Sequence, residues 1–171
     1  MRKIVFIVFA FFFLGFVPHQ SMMIRPGESV GPFALKKTTY KEIKEELEGG
    51  RMKEHFFMLS CGMKRSYDVL FYKREGMTFT FEEKEIKKTG KIYSIQINEK
   101  CDAVTSEGLR AGHSTRGDIR KAYGTPSAED DAGYNGRMDY SQLGIEFEFQ
   151  HGWNVKKETD TVRIIYVYPK D

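Results

Sequence analysis

Alternation between apolar and polar side chains is the strongest signal in this chain. The ranges 77–81 and 145–149 place Met, Ile or Phe at every second position, with Thr or Glu between them. Two further ranges, 92–97 and 162–167, are rich in Ile, Val and Tyr and follow charged turns. A period of two is typical of a strand that buries one face and presents the other to water. We therefore expect antiparallel strands whose aromatic and aliphatic positions build the core.

A short helix is predicted ahead of each group of strands. Thr39 lies three residues before Glu42, and Thr115 lies three residues before Asp118. This is the spacing of a capping box, in which the hydroxyl and the carboxylate satisfy free backbone N–H groups. Glycines soon afterwards, including Gly124, predict that each helix ends after about two turns. Helices this short must pack against the sheet to be stable.

The helix and strand patterns occur twice, which indicates an internal duplication. The sequence predicts a signal peptide at 1–21, a linker at 22–30, a first repeat at 31–101 and a second at 102–171. The expected fold class is α+β: two tandem repeats, each a short capped helix followed by a three- to four-stranded antiparallel meander. Helices would cover one face of the sheet and leave the other open. One repeat alone has a marginal core, so we expect both to form one compact unit.

Two segments of the second repeat carry a family resemblance. Residues 115–126 combine a capped helix with Tyr, Gly and Pro, and residues 140–149 form a Tyr-x-x-x-Gly hairpin with alternating Phe. These motifs resemble those of the beta-lactamase-inhibitor-protein-like superfamily, and the module is related to SmpA/OmlA-type envelope modules. The first repeat matches loosely and lacks the Tyr-Gly-x-Pro ending. The resemblance implies a non-catalytic binding protein and does not imply that a beta-lactamase is its target.

The amino terminus has the composition of a secretory signal peptide. Arg2 and Lys3 precede an uninterrupted apolar run at 4–17, and Pro18 then breaks it. The run is shorter than the roughly 20 residues that a spanning helix needs. We expect export, to the periplasm or the medium, with Ser21 the best residue before the cleavage point. An uncleaved amino-terminal anchor is the alternative.

Composition and charge narrow the classes of partner. The chain has 171 residues, of which 40% are hydrophobic and 30% charged, as in a globular protein. Its 27 basic and 24 acidic residues give a formal charge of +3. Removing Arg2 and Lys3 leaves 25 − 24 = +1. A balance this near neutral gives no basis for binding nucleic acid or an anionic membrane. Another protein is the expected partner.

The two cysteines, Cys61 and Cys101, are expected to form a disulfide. In an oxidising compartment an even number of cysteines usually pairs. The alternative is two free thiols in an anchored protein that faces a reducing space. No C-x-x-C is present, so the sequence gives no support to a redox role.

Motifs for catalysis, metal binding or cofactor binding are not found. The four histidines are scattered, and the sequence contains no G-x-S-x-G, phosphate-binding loop or dinucleotide-binding pattern. We therefore expect no enzyme, no metal and no cofactor. One alternative is kept open. Glu146 and Glu148, two apart on a strand, would put two carboxylates on one face, which is an arrangement that glycoside hydrolysis uses.

The open face of the second repeat is the predicted binding surface. If Ile165 and Val167 point to the core, the residues between and beyond them share the opposite face with the two glutamates. Tyrosines beside carboxylates are typical of protein-binding patches. The predicted partner-binding residues are Tyr166, Tyr168, Glu146, Glu148, Ile164, Trp153 and Tyr134. The competing interpretation is that these tyrosines are ordinary cross-strand pairs or are covered by the amino-terminal segment.

The function expected from all this is an exported, non-enzymatic protein-binding module that inhibits or regulates an extracellular or envelope enzyme. The first alternative is an assembly or scaffold factor of the cell envelope. The second is a small hydrolase acting on wall or carbohydrate material through Glu146 and Glu148.

Overall fold

The computed structural model describes residues 21–47, 57–59, 67–72, 76–81, 90–131, 135–150 and 158–170. In chain order its elements are β1 (Met22–Arg25), β2 (Ser29–Val30), β3 (Phe33–Ala34), α1 (Tyr40–Leu47), β4 (Phe57–Leu59), β5 (Tyr67–Tyr72), β6 (Met77–Phe81), β7 (Ile92–Asn98), β8 (Ala103–Thr105), α2 (Arg116–Tyr123), β9 (Ala128–Asp130), β10 (Asn135–Tyr140), β11 (Ile145–Gln150) and β12 (Val162–Val167).

The larger of two sheets has eight strands in the order β4-β5-β6-β7-β12-β11-β10-β9. Every neighbouring pair in it is antiparallel. Its centre is the pairing of β7 with β12, where Ile97 lies opposite Ile165 and Ile95 opposite Val167. These four residues are 0–1% exposed, so the alternation predicted from the sequence places them correctly in the core.

A smaller sheet, in the order β3-β2-β1-β8, is formed largely by the amino-terminal part of the described chain. β1 pairs antiparallel with β2 and parallel with β8. The segment 22–30, predicted to be a linker, thus contains β1 and β2. Phe33 of this sheet packs edge-on against Phe79 of the large sheet, with ring centroids 5.1 Å apart. The smaller sheet therefore covers part of the aromatic face of the larger one.

One hydrophobic core joins both sheets and both helices. It contains Ile24 from β1, Phe79 and Phe147 from the large sheet, Ile43 from α1 and Ile119 from α2. All five are at most 1% exposed. Burying a side chain of this size stabilises the fold by about 1.5–3 kcal/mol relative to leaving it in water.

Both predicted capping boxes are confirmed. At α2 the Thr115 hydroxyl accepts a hydrogen bond from the Asp118 backbone N–H, and the Asp118 side chain accepts one from Thr115 N–H. At α1, Thr39 and Glu42 make the equivalent contacts. These bonds lower the pKa of both carboxyls, the Thr39 and Thr115 backbone N–H groups having the largest effect. Gly124, with a φ of 78°, ends α2 as expected.

The fold-class prediction is wrong. The protein is mostly sheet, and the part of the chain described here has two helices of eight residues each. It is not a pair of helix-plus-meander repeats with helices alone over one face, because a second sheet shares that face with them. Two such helices are too small to cover eight strands. The remaining apolar surface is buried by Ile24, Val30 and Phe33 instead.

Several predictions fall wholly or partly outside the described residues. The signal peptide at 1–21 does so apart from Ser21, and Cys61 does so as well. The Cys101 thiol is buried and makes no disulfide with a residue that the structure describes, so the Cys61–Cys101 bond stays a prediction. Burial, with a smaller contribution from the Asp102 charge, raises the pKa of that thiol to about 12. No helix within the described ranges has the length and apolarity needed to span a membrane.

Candidate binding face of the large sheet

The surface of β10, β11 and β12 that points away from the core carries most of the predicted binding residues. Met138, Phe147 and Ile165 are fully buried on the core side, so their neighbours in sequence face the other way. We call this surface the carboxylate face. Its members are Arg137, Asp139, Glu146, Glu148, Arg163, Ile164, Tyr166 and Tyr168.

The strand register arranges this face as two rows of side chains. Asp139 lies opposite Glu146, and Glu146 lies opposite Tyr166. In the adjacent row Arg137 lies opposite Glu148, and Glu148 lies opposite Ile164. Register thus brings together four residues that the sequence analysis grouped: Glu146, Glu148, Ile164 and Tyr166.

The Glu148 side chain is buried under the side chains around it. It is only 4% exposed, although the sequence predicts that it faces water. The Tyr166 hydroxyl donates a hydrogen bond of 2.7 Å to Oε2 of Glu148. Guanidinium nitrogens of Arg137 and Arg163 lie 3.7 and 3.8 Å from its carboxylate oxygens. The register between β11 and β12 shifts next to Glu148, so that Arg163 has no partner in β11. This irregularity places Arg163 on the same surface as Ile164.

The negative charge of Glu146 has fewer compensating contacts than that of Glu148. Its side chain is 20% exposed, and Nε of Arg137 lies 3.7 Å from Oε1. Burial raises the pKa of the Glu146 carboxyl, the nearby charge of Arg137 lowers it, and the charges of Asp139 and Glu148 raise it further. The net shift is upward, so the protein disfavours the ionised form of Glu146.

Two carboxylates face each other directly on neighbouring strands. Asp139 and Glu146 are register partners, and like charges in that position destabilise a sheet. The Tyr168 hydroxyl donates a hydrogen bond to Oδ1 of Asp139, as Tyr166 does to Glu148. Both hydroxyls are therefore used as donors within the face. What the two acids still offer to a ligand is negative charge and hydrogen-bond acceptors.

Sequence reasoning missed Arg137, Asp139 and Arg163. The first two alternate with Met138 and Tyr140 in β10, so a period-two reading of 135–140 would have found them. Arg163 lies on the face because of a register shift that could not be predicted from the sequence. Trp153 and Tyr134, which were expected at its border, lie outside the described residues.

Other features of the described chain lie apart from this face. No group of three or more His, Cys, Asp or Glu side chains within those ranges is placed to hold a metal ion. A cavity of about 440 Å³ lies elsewhere, where Glu107, His113 and Asp118 contribute to its lining. A second cavity lies near β2 and β3.

Comparisons with known proteins give one distant structural likeness. No protein-family model matches the chain, and no curated protein matches it. A crystal structure of a DUF4309 family protein (YjgB) from Bacillus subtilis aligns over 83% of this chain and 88% of its own, with 13% sequence identity and a TM-score of 0.44. A likeness at that level does not indicate a function for this chain.

Proposed function

We propose that this chain is an exported, non-enzymatic module whose carboxylate face binds another protein through a basic side chain of that partner. The observation that carries the proposal is the pair of acids, Asp139 and Glu146, set opposite each other beside Tyr166 and Tyr168. A pairing that costs stability in the free protein is relieved when a lysine or arginine of a partner lies between the two carboxylates.

Charge complementarity supports this choice of partner. Three acids, Asp139, Glu146 and Glu148, lie on the carboxylate face, against two arginines, Arg137 and Arg163. Both arginines contact Glu148, and Arg137 also contacts Glu146. Asp139 accepts a hydrogen bond from the Tyr168 hydroxyl, which carries no charge. The excess of acceptors thus lies around Asp139 and Glu146, beside aromatic rings that supply rigid contact area.

The family resemblance of 115–126 and 140–149 also favours binding over catalysis. An extracellular or envelope enzyme is the class of target that it suggests, with envelope assembly as the alternative process. The hydrolase hypothesis has less support, because Glu148 is almost fully buried and contacts Tyr166 and two arginines. A catalytic carboxylate must reach the substrate.

A peptide-display selection tests the proposal before the partner itself is identified. A library of random peptides is selected on the immobilised protein, and recovered peptides are titrated against four variants: Tyr166→Phe, Glu146→Gln, Asp139→Asn and the control Thr80→Ala. Thr80 is on β6 of the same sheet, and β7 separates it from β12. Melting curves identify any variant that is merely unfolded.

We expect peptides that contain Lys or Arg and that bind about tenfold more weakly to Glu146→Gln or Asp139→Asn, with Thr80→Ala unchanged. Binding should weaken with added salt. Recovered peptides that lack basic residues, or that bind every folded variant equally, would contradict the proposal.

A further inference from the structure

A cavity of about 350 Å³ lies at the smaller sheet, beside the end of the described chain. β1, β2 and the residues after β3 form one wall of it, and Pro169 contributes to another. Its polar lining comes from Arg25, Glu28, Ser29, Lys36 and Lys37. The volume is within the range of sites that hold small molecules.

The cavity carries an excess of positive charge. Arg25, Lys36 and Lys37 have no ion-pair partner within the described part of the chain, whereas other exposed cations such as Arg110 and Lys170 do. The acid in the lining, Glu28, lies 3.5 Å from Nζ of Lys170. Three cations therefore surround one cavity whose carboxylate is already paired.

Ser29 provides a polar group that is buried in the cavity wall. The residue is 8% exposed, and its hydroxyl makes no hydrogen bond to any part of the chain that the structure describes. The hydroxyl oxygen keeps some contact with solvent at the cavity, although most of the residue is buried. A hydroxyl in this position is free to donate a hydrogen bond to a ligand in the cavity.

Lys36 and Lys37, which both line the cavity, lie in the turn after β3, where the Lys37 and Thr38 N–H groups donate to the Ala34 carbonyl. Neighbouring side chains of an extended chain point to opposite sides. Lys36 instead has a φ of 57°, a left-handed conformation that a residue other than glycine rarely adopts. Conformations of this kind occur often where a binding site requires them.

We propose that this cavity binds a small molecule through an oxyanion, a phosphate or a carboxylate, that is held by Arg25, Lys36, Lys37 and the Ser29 hydroxyl. The three cations neutralise the oxyanion, and the hydroxyl donates to one of its oxygens. This site is separate from the carboxylate face, and the two proposals do not depend on each other.

The test is a titration of the folded protein with inorganic phosphate and, separately, with citrate, followed by backbone amide NMR shifts. Three variants are compared with wild type: Lys36→Gly, Ser29→Ala and the control Lys100→Ala. Glycine suits the left-handed backbone, so Lys36→Gly removes the charge while keeping the fold. Lys100 is an exposed lysine that does not line the cavity.

We expect saturable shifts at residues 25–37, weakened about tenfold by Lys36→Gly and by Ser29→Ala, and unaffected by Lys100→Ala. The stronger of the two probes identifies the oxyanion as phosphate or carboxylate. Shifts that do not saturate with either probe, or that Lys100→Ala reduces as much as Lys36→Gly does, would overturn the proposal.

Discussion

Arg116 is the residue whose replacement should reveal most about how the second half of the chain is held together. It opens α2, it is 0% exposed, and its guanidinium carbon lies 4.5 Å from the centre of the Phe149 ring. Its nitrogens lie 2.5 Å from Glu129 and 2.8 Å from Asp131. One side chain thus ties the helix to the edge strand β9 and to the residue after it.

Replacing Arg116 with Met keeps an unbranched apolar side chain and removes the charge. Glu129 and Asp131, whose side chains are 18% and 26% exposed, then lose the guanidinium, although Arg120 still contacts Glu129. Breaking a buried ion pair in this way costs about 3–5 kcal/mol. In a protein of this size each kcal/mol lowers the melting temperature by about 2–4 °C. Arg116→Met should therefore melt roughly 6–20 °C below wild type.

The assay is thermal unfolding followed by circular dichroism, which gives the melting temperature of each variant. The matched control is Arg110→Met, since Arg110 also pairs with an acid, Asp102, but its side chain is 42% exposed. An exposed pair contributes about 0–1 kcal/mol. If Arg116→Met loses no more stability than Arg110→Met, the argument that the buried guanidinium network holds α2 to β9 is wrong.

Three further predictions concern the core, a turn and the carboxylate face. Phe147→Ala removes a fully buried ring and should lower the free energy of unfolding by about 3–5 kcal/mol in urea, and a loss below about 1 kcal/mol would contradict its place in the core. Gly144→Ala should destabilise much more than Gly124→Ala in the same assay. Both have a positive φ, but a Cβ at Gly144 would clash with the Tyr168 carbonyl oxygen, whereas one at Gly124 meets nothing within 4 Å. Glu146→Gln should stabilise the protein at pH 7 and have little effect at pH 4. Burial raises the pKa of the folded carboxyl, so wild type loses stability as the pH rises through that pKa. An equal effect at both pH values would show that the carboxyl charge is not the cause.

The alternation of side chains predicted the interior of the large sheet well. Phe79, Phe147 and Ile165 are fully buried, as a period of two requires. It failed for the smaller sheet, because β2 and β3 have two residues each and no period can be read from two positions. Without that sheet, the helices were the only elements left to cover the aromatic face, and the fold class was wrong for that reason.

The candidate sites show a similar division. Period two placed Tyr166 and Glu146 on one surface, and register made them direct partners. The burial of Glu148 could not be deduced from a local pattern, because it depends on Tyr166 and on two arginines from other strands. The burial of Arg116 was even harder to predict from the sequence. Arginine is seldom fully buried, and its partners come from β9 and the segments around it.

Photo-cross-linking in the cells that produce the protein is the most direct test of the carboxylate face as a binding surface. A photoreactive phenylalanine analogue replaces Tyr166 in one variant and Tyr123, on the helix side of the sheet, in a control. We expect a discrete protein adduct from position 166 that is absent from position 123 and is lost when Glu146→Lys is added to a variant that still melts normally. Adducts of equal yield from both positions, or an adduct at 166 that survives Glu146→Lys, would contradict the claim that this face binds a partner through its carboxylates.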